Sequence, residues 1–129
     1  MNDGVAIADA SAILALLKQE PFGKLDPNRL FRATISAVNL SEVLERLCSG
    51  GLAESEAEEA VAELSLLVAD FDEPQARLAA YLRARTRRAG LSLGDRACLA
   101  LGLRLGHPVI TADRVWASLD IGVEVVLTR

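Results

Sequence analysis

"VAIADASAIL" spans residues 5–14: an apolar run reaches an aspartate, Asp9, and the pattern then turns helical. "PVITADRVW", residues 108–116, repeats the arrangement near the other end of the chain, with Asp113 behind its apolar run. Short, near-continuous apolar runs alternating with helical stretches read as a parallel sheet covered on both faces. Crossovers in such a sheet are right-handed, so the strand ends that feed helices fall along one edge. Ligands bind at that edge in folds of this kind, and Asp9 and Asp113 are expected to share it. A carboxylate at a buried strand end costs free energy unless something there needs its charge.

The same alternation runs between the two stretches. A short strand is expected over 5–8, then a helix capped by Ser11 and running to about Lys18. Residues 20–28 form a loop with two prolines and a glycine, and "ATIS" (33–36) a second strand. "NLSEVLERLCSGG" (39–51) is a helix stopped by Gly50 and Gly51. A helix over 55–68 follows, with Ser55 and Glu58 as a capping box, and residues 68–72 are a third strand. Pro74 opens a helix that runs to the arginines and Gly90. The helix over 92–106 carries Gly102 for close packing and Gly106 as its C-cap. Strands at 108–111 and 123–128 flank a short helix at 114–119. No repeat or linker interrupts the chain, and 129 residues make one domain over 1–129.

Composition narrows the chemistry. Hydrophobic residues are 51% and charged residues 25%, which is globular and not disordered. No apolar run reaches the ~18 residues of a membrane span, and Asn2 and Asp3 do not form the cationic start of a signal peptide. A cytoplasmic protein is expected. Cys48 and Cys98 sit in apolar helical patterns and read as free thiols. His107 is the only histidine and no CxxC pair exists, so a zinc site, a Ser-His-Asp triad and a Cys-His dyad all lack their parts. Carboxylates must carry any chemistry.

The net charge of −4 conceals a segregation. Residues 42–63 hold seven acids against Arg46 alone, a net of −6, and residues 76–106 hold seven arginines against Asp95 alone, a net of +6. An arginine strip of this kind suits bidentate phosphate contacts, and its plainer reading is a solvated face that balances the acidic one. Two further acids fall near the strand-end edge. Glu42 is expected in the first turn of the helix after the second strand, and Asp95 in the first turn of "SLGDRACLALGL". Each alone is explained by the helix dipole. Four carboxylates at one edge repel each other, and a hard divalent cation resolves the repulsion. An oxygen-only set suits Mg²⁺ or Mn²⁺.

The segments "IADASAILALL" (7–17), "ISAVNLSEVLERL" (35–47), "LSLGDRACLALGLRLGHPVITADRVWASL" (91–119) and "GVEVVLTR" (122–129) together resemble a PIN-domain ribonuclease, and within that superfamily the VapC-type toxins of toxin–antitoxin pairs. The resemblance implies a Rossmann-like three-layer fold around a short parallel sheet of four to five strands. It also implies an endoribonuclease whose acids, falling here on Asp9, Glu42, Asp95 and Asp113, hold Mg²⁺ or Mn²⁺. Thr111, Ser11 and Asn39 match polar supporting positions. Glu42 is expected as a ligand or as the orienter of the attacking water. Arg85, Arg87, Arg88 and Arg96 are expected to hold the backbone of single-stranded or looped RNA. Where some PIN domains carry a further acid, this chain has Val115, Trp116 and Ala117. The implied partner is a cognate antitoxin in a hetero-oligomer, or a second copy in a homodimer. The acidic 54–63 helix and the apolar "AILALL" helix are the surfaces such an antitoxin would occupy, placing an inserted side chain, typically Arg, at the acids. Trp116 and Tyr81 could stack bases, but core or partial-core packing is the expectation for both.

Two other readings compete. A phospho-receiver domain shares the length and alternation, but it wants paired acids after the first strand and a lysine after the fifth. Here only Asp9 ends the first strand and the last lysine is Lys24. A catalytically inactive PIN scaffold that binds a partner is the other, and the intact set of four acids speaks against it.

Overall fold

The computed structural model describes residues 5–129, so Asn2 and Asp3 lie outside the described residues. Five parallel strands, β1 (Ile7–Ala8), β2 (Thr34–Ser36), β3 (Leu67–Ala69), β4 (Val109–Thr111) and β5 (Val125–Leu127), form one sheet in the order β3-β2-β1-β4-β5. Five helices cross between or beside them: α1 (Ala10–Leu17), α2 (Ala37–Ser49), α3 (Glu54–Ala62), α4 (Glu73–Arg85) and α5 (Leu93–Leu105).

Period-two alternation decides which helices lie on which face. Ala6, Ala8, Ile35 and Ile110 pack with α1, α2 and α3, whereas Ile7 and Val109 pack with α4 and α5. The register agrees, pairing Ile7 with Val109 and Ala8 with Ile110. The inner strands β1, β2 and β4 are buried on both faces, which is why the sequence shows near-continuous apolar runs there, whereas the edge strand β3 leaves Leu67 and Val68 exposed. The result is the expected three-layer arrangement. Strand order reverses at β1, so the crevice at the carboxyl ends of β1 and β4 is the switch point where such sheets bind ligands. Gly102 permits α5 to approach this sheet, since a Cβ there would lie 2.7 Å from Val109 Cγ1. Gly106 ends α5 in the left-handed conformation at φ 69°. Among the described residues no helix is long and apolar enough to cross a membrane.

Several expectations change. The N-cap of α1 is Asp9, and Ser11 lies inside the first turn. The helix expected over 55–68 stops at Ala62, because Leu67 and Val68 pair with Thr34 and Ile35 and extend the sheet. Strand pairing overrides a helical period that continued through Leu64 and Leu67. Its N-terminal bond runs from the Ala53 N–H to Glu56 Oε1 at 2.8 Å, not between Ser55 and Glu58. Helix α2 begins at Ala37, capped by the Ser36 hydroxyl, which moves Glu42 from the first turn to the second. Trp116 is fully buried as expected, but Tyr81 is exposed on α4. Cys98 is buried, Cys48 half-buried, and both are free thiols.

Candidate active site

Asp9 leaves β1 directly into the switch-point crevice and is 4% exposed. Its Oδ2 accepts hydrogen bonds from Ser11 Oγ at 2.6 Å and from Thr111 Oγ1 at 2.9 Å. Each hydroxyl in turn accepts a backbone N–H from the segment after β4: Ala112 to Ser11 Oγ and Asp113 to Thr111 Oγ1, both at 3.0 Å. A hydroxyl has one proton to give. With both protons committed to Asp9 Oδ2, the network fixes that carboxylate and leaves Oδ1 without a hydrogen-bond donor.

Glu42 approaches from α2. Its Oε1 accepts from Asn39 Nδ2 at 2.8 Å, and the same amide donates to the Gly94 carbonyl at 3.0 Å. Asn39 is completely buried and thereby ties α2 to the start of α5. Gly94 completes the fit, because a Cβ at this position would overlap the Glu42 carboxylate. Asp95 stands next to it in the first turn of α5, half-buried, where its Oδ2 accepts the Ser92 N–H at 3.0 Å and Ser92 Oγ accepts the Asp95 N–H at 3.2 Å. Asp9, Ser11, Glu42, Glu45, Arg46 and Asp95 line one pocket of about 200 Å³.

Electrostatics registers the crowding. The Asp9 carboxyl is pushed up to about 6, chiefly by burial and further by the charges of Asp95 and Glu42, against the lowering pull of the Ser11 and Thr111 hydrogen bonds. Cys98 is fully buried, and burial together with Asp9, Asp95 and Glu42 raises its thiol well above the ordinary range. That makes it an inert neutral group near the acids.

The four expected acids do not all converge. Asp113 is exposed, and its Oδ1 accepts the Val115 N–H at 3.0 Å, capping the 3₁₀ turn Arg114–Ser118. Among the described residues no three acid, histidine or cysteine side chains close into a ready-made coordination sphere. The donors are nevertheless of the right kind for a hard cation: all oxygen, several carboxylates, and one oxygen of Asp9 with no hydrogen bond. Mg²⁺ keeps several waters and asks for only one or two direct carboxylates, so the residues present fit it.

The arginines separate as well. Arg85, Arg87 and Arg88 line a cleft of about 770 Å³ between the end of α4 and the Arg114–Ser118 turn, whose cap is Asp113. Arg96 is not among them. It is 8% exposed and donates from Nη1 to the Ala79 carbonyl at 2.8 Å, a buried tie between α5 and α4. The apolar α1 helix is also withdrawn from the surface, with Ala10, Ala12, Ile13, Leu14 and Ala15 buried. Sequence reasoning did not single out Glu45 and Arg46 as pocket residues. The available signal was their spacing of three and four positions from Glu42, which on a helix is one turn along the same face.

Residues 6–122 match the family described as the PIN domain. A search of curated proteins found no match. Among solved structures, VapBC2 from Rickettsia felis bound to a promoter DNA fragment superposes with a TM-score of 0.75 at 13% identity, covering 97% of this chain and 99% of that one. DNA-bound VapBC from Salmonella typhimurium gives 0.74 at 20% identity, covering 96% and 98%. VapC20 of Mycobacterium tuberculosis, a sarcin-ricin loop cleaving toxin, gives 0.70 at 18% identity, covering 92% and 98%. At these identities the likeness is one of fold.

Proposed function

The chain belongs to the PIN-domain family, and on that premise we propose that it is a metal-dependent endoribonuclease, the toxin of a toxin–antitoxin pair acting in the cytoplasm. The observation that carries the reading is the convergence of Asp9, Glu42 and Asp95 on one pocket at the switch point of the sheet. The similarity of its fold to VapBC complexes and to the toxin VapC20 supports the same role.

In this reading Asp9, Asp95 and Glu42 would hold Mg²⁺ or Mn²⁺. The cation would lower the pKa of a water and offset charge developing on the phosphate oxygens. Hydrolysis adds one water across one P–O bond, so one RNA fragment leaves with a hydroxyl and the other with a phosphomonoester. Asn39 holds Glu42 in place, and Ser11 and Thr111 hold Asp9. Asp113 acts from outside the pocket, through water. Arg85, Arg87 and Arg88 carry the backbone of single-stranded or looped RNA in the neighbouring cleft. A cognate antitoxin fits the groove of about 510 Å³ between α2 and α3, which offers Leu40, Leu44 and Ala57 beside Glu45, Glu54 and Glu58. That chemistry suits an amphipathic segment with cationic flanks.

The test is cleavage of single-stranded and hairpin RNA by the purified chain. Mg²⁺ or Mn²⁺ should support it, EDTA should stop it, and Asp9→Asn should lack it. A protein that binds RNA or a partner but never cuts under any metal is the inactive scaffold instead.

A further inference from the structure

Arg46 is a cation among the residues lining the acid pocket, set among Asp9, Glu42, Glu45 and Asp95. It lies four residues after Glu42 on α2, a spacing at which acid and arginine ordinarily pair. Here they do not. Glu42 is drawn toward the start of the helix by Asn39 Nδ2 and lies against Gly94. Among the described residues the one ion pair is Arg77 with Glu73, so the Arg46 guanidinium keeps its donors free. It is also exposed, so nothing in the packing of the core requires it.

A pocket with this balance has a specific difficulty with its substrate. Its carboxylates attract a cation but repel the phosphodiester, and a divalent ion alone leaves the pocket negative or near neutral. A planar guanidinium presents paired donors that match two oxygens of one phosphate. We propose that Arg46 binds the non-bridging oxygens of the scissile phosphate, making it a catalytic residue of this chain supplied from α2. Because charge on those oxygens changes as the bond breaks, the contact contributes to turnover more than to ground-state binding.

This inference rests on the ribonuclease reading, and the experiment separates the two. Wild type, Arg46→Ala and Arg46→Lys are compared on a fluorogenic RNA oligonucleotide with Mn²⁺ for kcat and KM. The same oligonucleotide is then titrated in EDTA across a series of salt concentrations. Arg46→Ala should lower kcat by about 100-fold, with a much smaller change in KM, and Arg46→Lys should recover part of the loss. In EDTA the alanine variant should bind a few-fold more weakly, with a salt slope shallower by about one contact. Retention of the Mn²⁺-induced rise in melting temperature shows that the pocket is intact. If wild type cuts and Arg46→Ala keeps its kcat, Arg46 does not touch the reacting phosphate, whether or not KM rises, and the nuclease reading stands. If wild type neither binds nor cuts the RNA, the nuclease reading itself fails and this inference with it.

Discussion

Asp9 is where the fold places charge at greatest cost. Burial raises its carboxyl from 3.8 to about 6, so the folded, metal-free protein holds that proton more tightly than the unfolded chain does. Stability linked to this group is therefore fully present below about pH 4 and is lost as pH rises through 6, a loss on the order of 3 kcal/mol. Asp9→Asn keeps an acceptor for the Ser11 and Thr111 hydroxyls and removes the charge. In EDTA at pH 7.5 it should melt above wild type, and the two curves should converge near pH 4. Equal melting temperatures across that range would mean that Asp9 bears no such strain. Adding Mn²⁺ should reverse the order at neutral pH, since only wild type gains fully from binding to the folded state. Cleavage should follow the geometry: Asp9→Asn, Glu42→Gln and Asp95→Asn each remove most activity, and a double variant is little worse than its weaker parent because the three act as a unit. Asp113→Asn, which preserves the cap on Val115, should lose less. A complete loss there would place its carboxylate in the reacting centre.

At the scale of elements, what the sequence revealed follows the strength of each local signal. The β1–α1 and β4 stretches were readable because an apolar run broken by an aspartate has few meanings. Helix α5 was readable because Ser92 and Gly106 mark both its ends. The end of α3 was not, since leucines at 64 and 67 satisfy a helical period until β2 claims Leu67. Arg96 counted toward the basic strip because spacing cannot distinguish a buried guanidinium from a solvated one. The role of Gly94 was invisible for a related reason: a glycine's tight contact with Glu42 exists only once α2 and α5 meet. These two residues give an opposed pair of outcomes. Gly94→Ala adds a methyl group where the Glu42 carboxylate lies, so cleavage should drop sharply while thermal stability changes little, the helix preference for Ala offsetting about 1 kcal/mol. Arg96→Ala removes a buried hydrogen bond and should cost about 1–3 kcal/mol in urea unfolding with RNA affinity unchanged. Weaker RNA binding by a fully folded Arg96→Ala would return that arginine to the nucleic-acid surface.

For the whole molecule the informative feature is the way charge is divided about the acid pocket. On one side α2 and α3 frame a groove with apolar residues beside Glu45, Glu54 and Glu58, and on the other Arg85, Arg87 and Arg88 line the cleft beyond Asp113. One chain thus offers a cation-seeking surface and a phosphate-seeking surface beside the acid pocket proposed as the site of chemistry. If the first takes the antitoxin and the second the RNA, the two functions should separate by mutation. Replacing Glu54 and Glu58 with lysine should weaken capture of a co-expressed cationic antitoxin and leave the cutting of RNA unchanged, so the variant should be more toxic in the presence of its partner. Replacing Arg85, Arg87 and Arg88 with alanine should do the opposite. RNA affinity should fall, the slope of log K against log salt should flatten by about 2 if all three contact phosphates of a single strand, and antitoxin capture should persist. The acid pocket shares Glu45 with the α2–α3 groove and no lining residue with the arginine cleft, so a bound antitoxin that reaches it should block cleavage even when RNA still occupies that cleft. Pull-down with the antitoxin and anisotropy with labelled RNA, run on both variants, read the two surfaces separately. Loss of both activities in both variants would mean that RNA and partner share one surface, and the division of charge would then have no functional meaning.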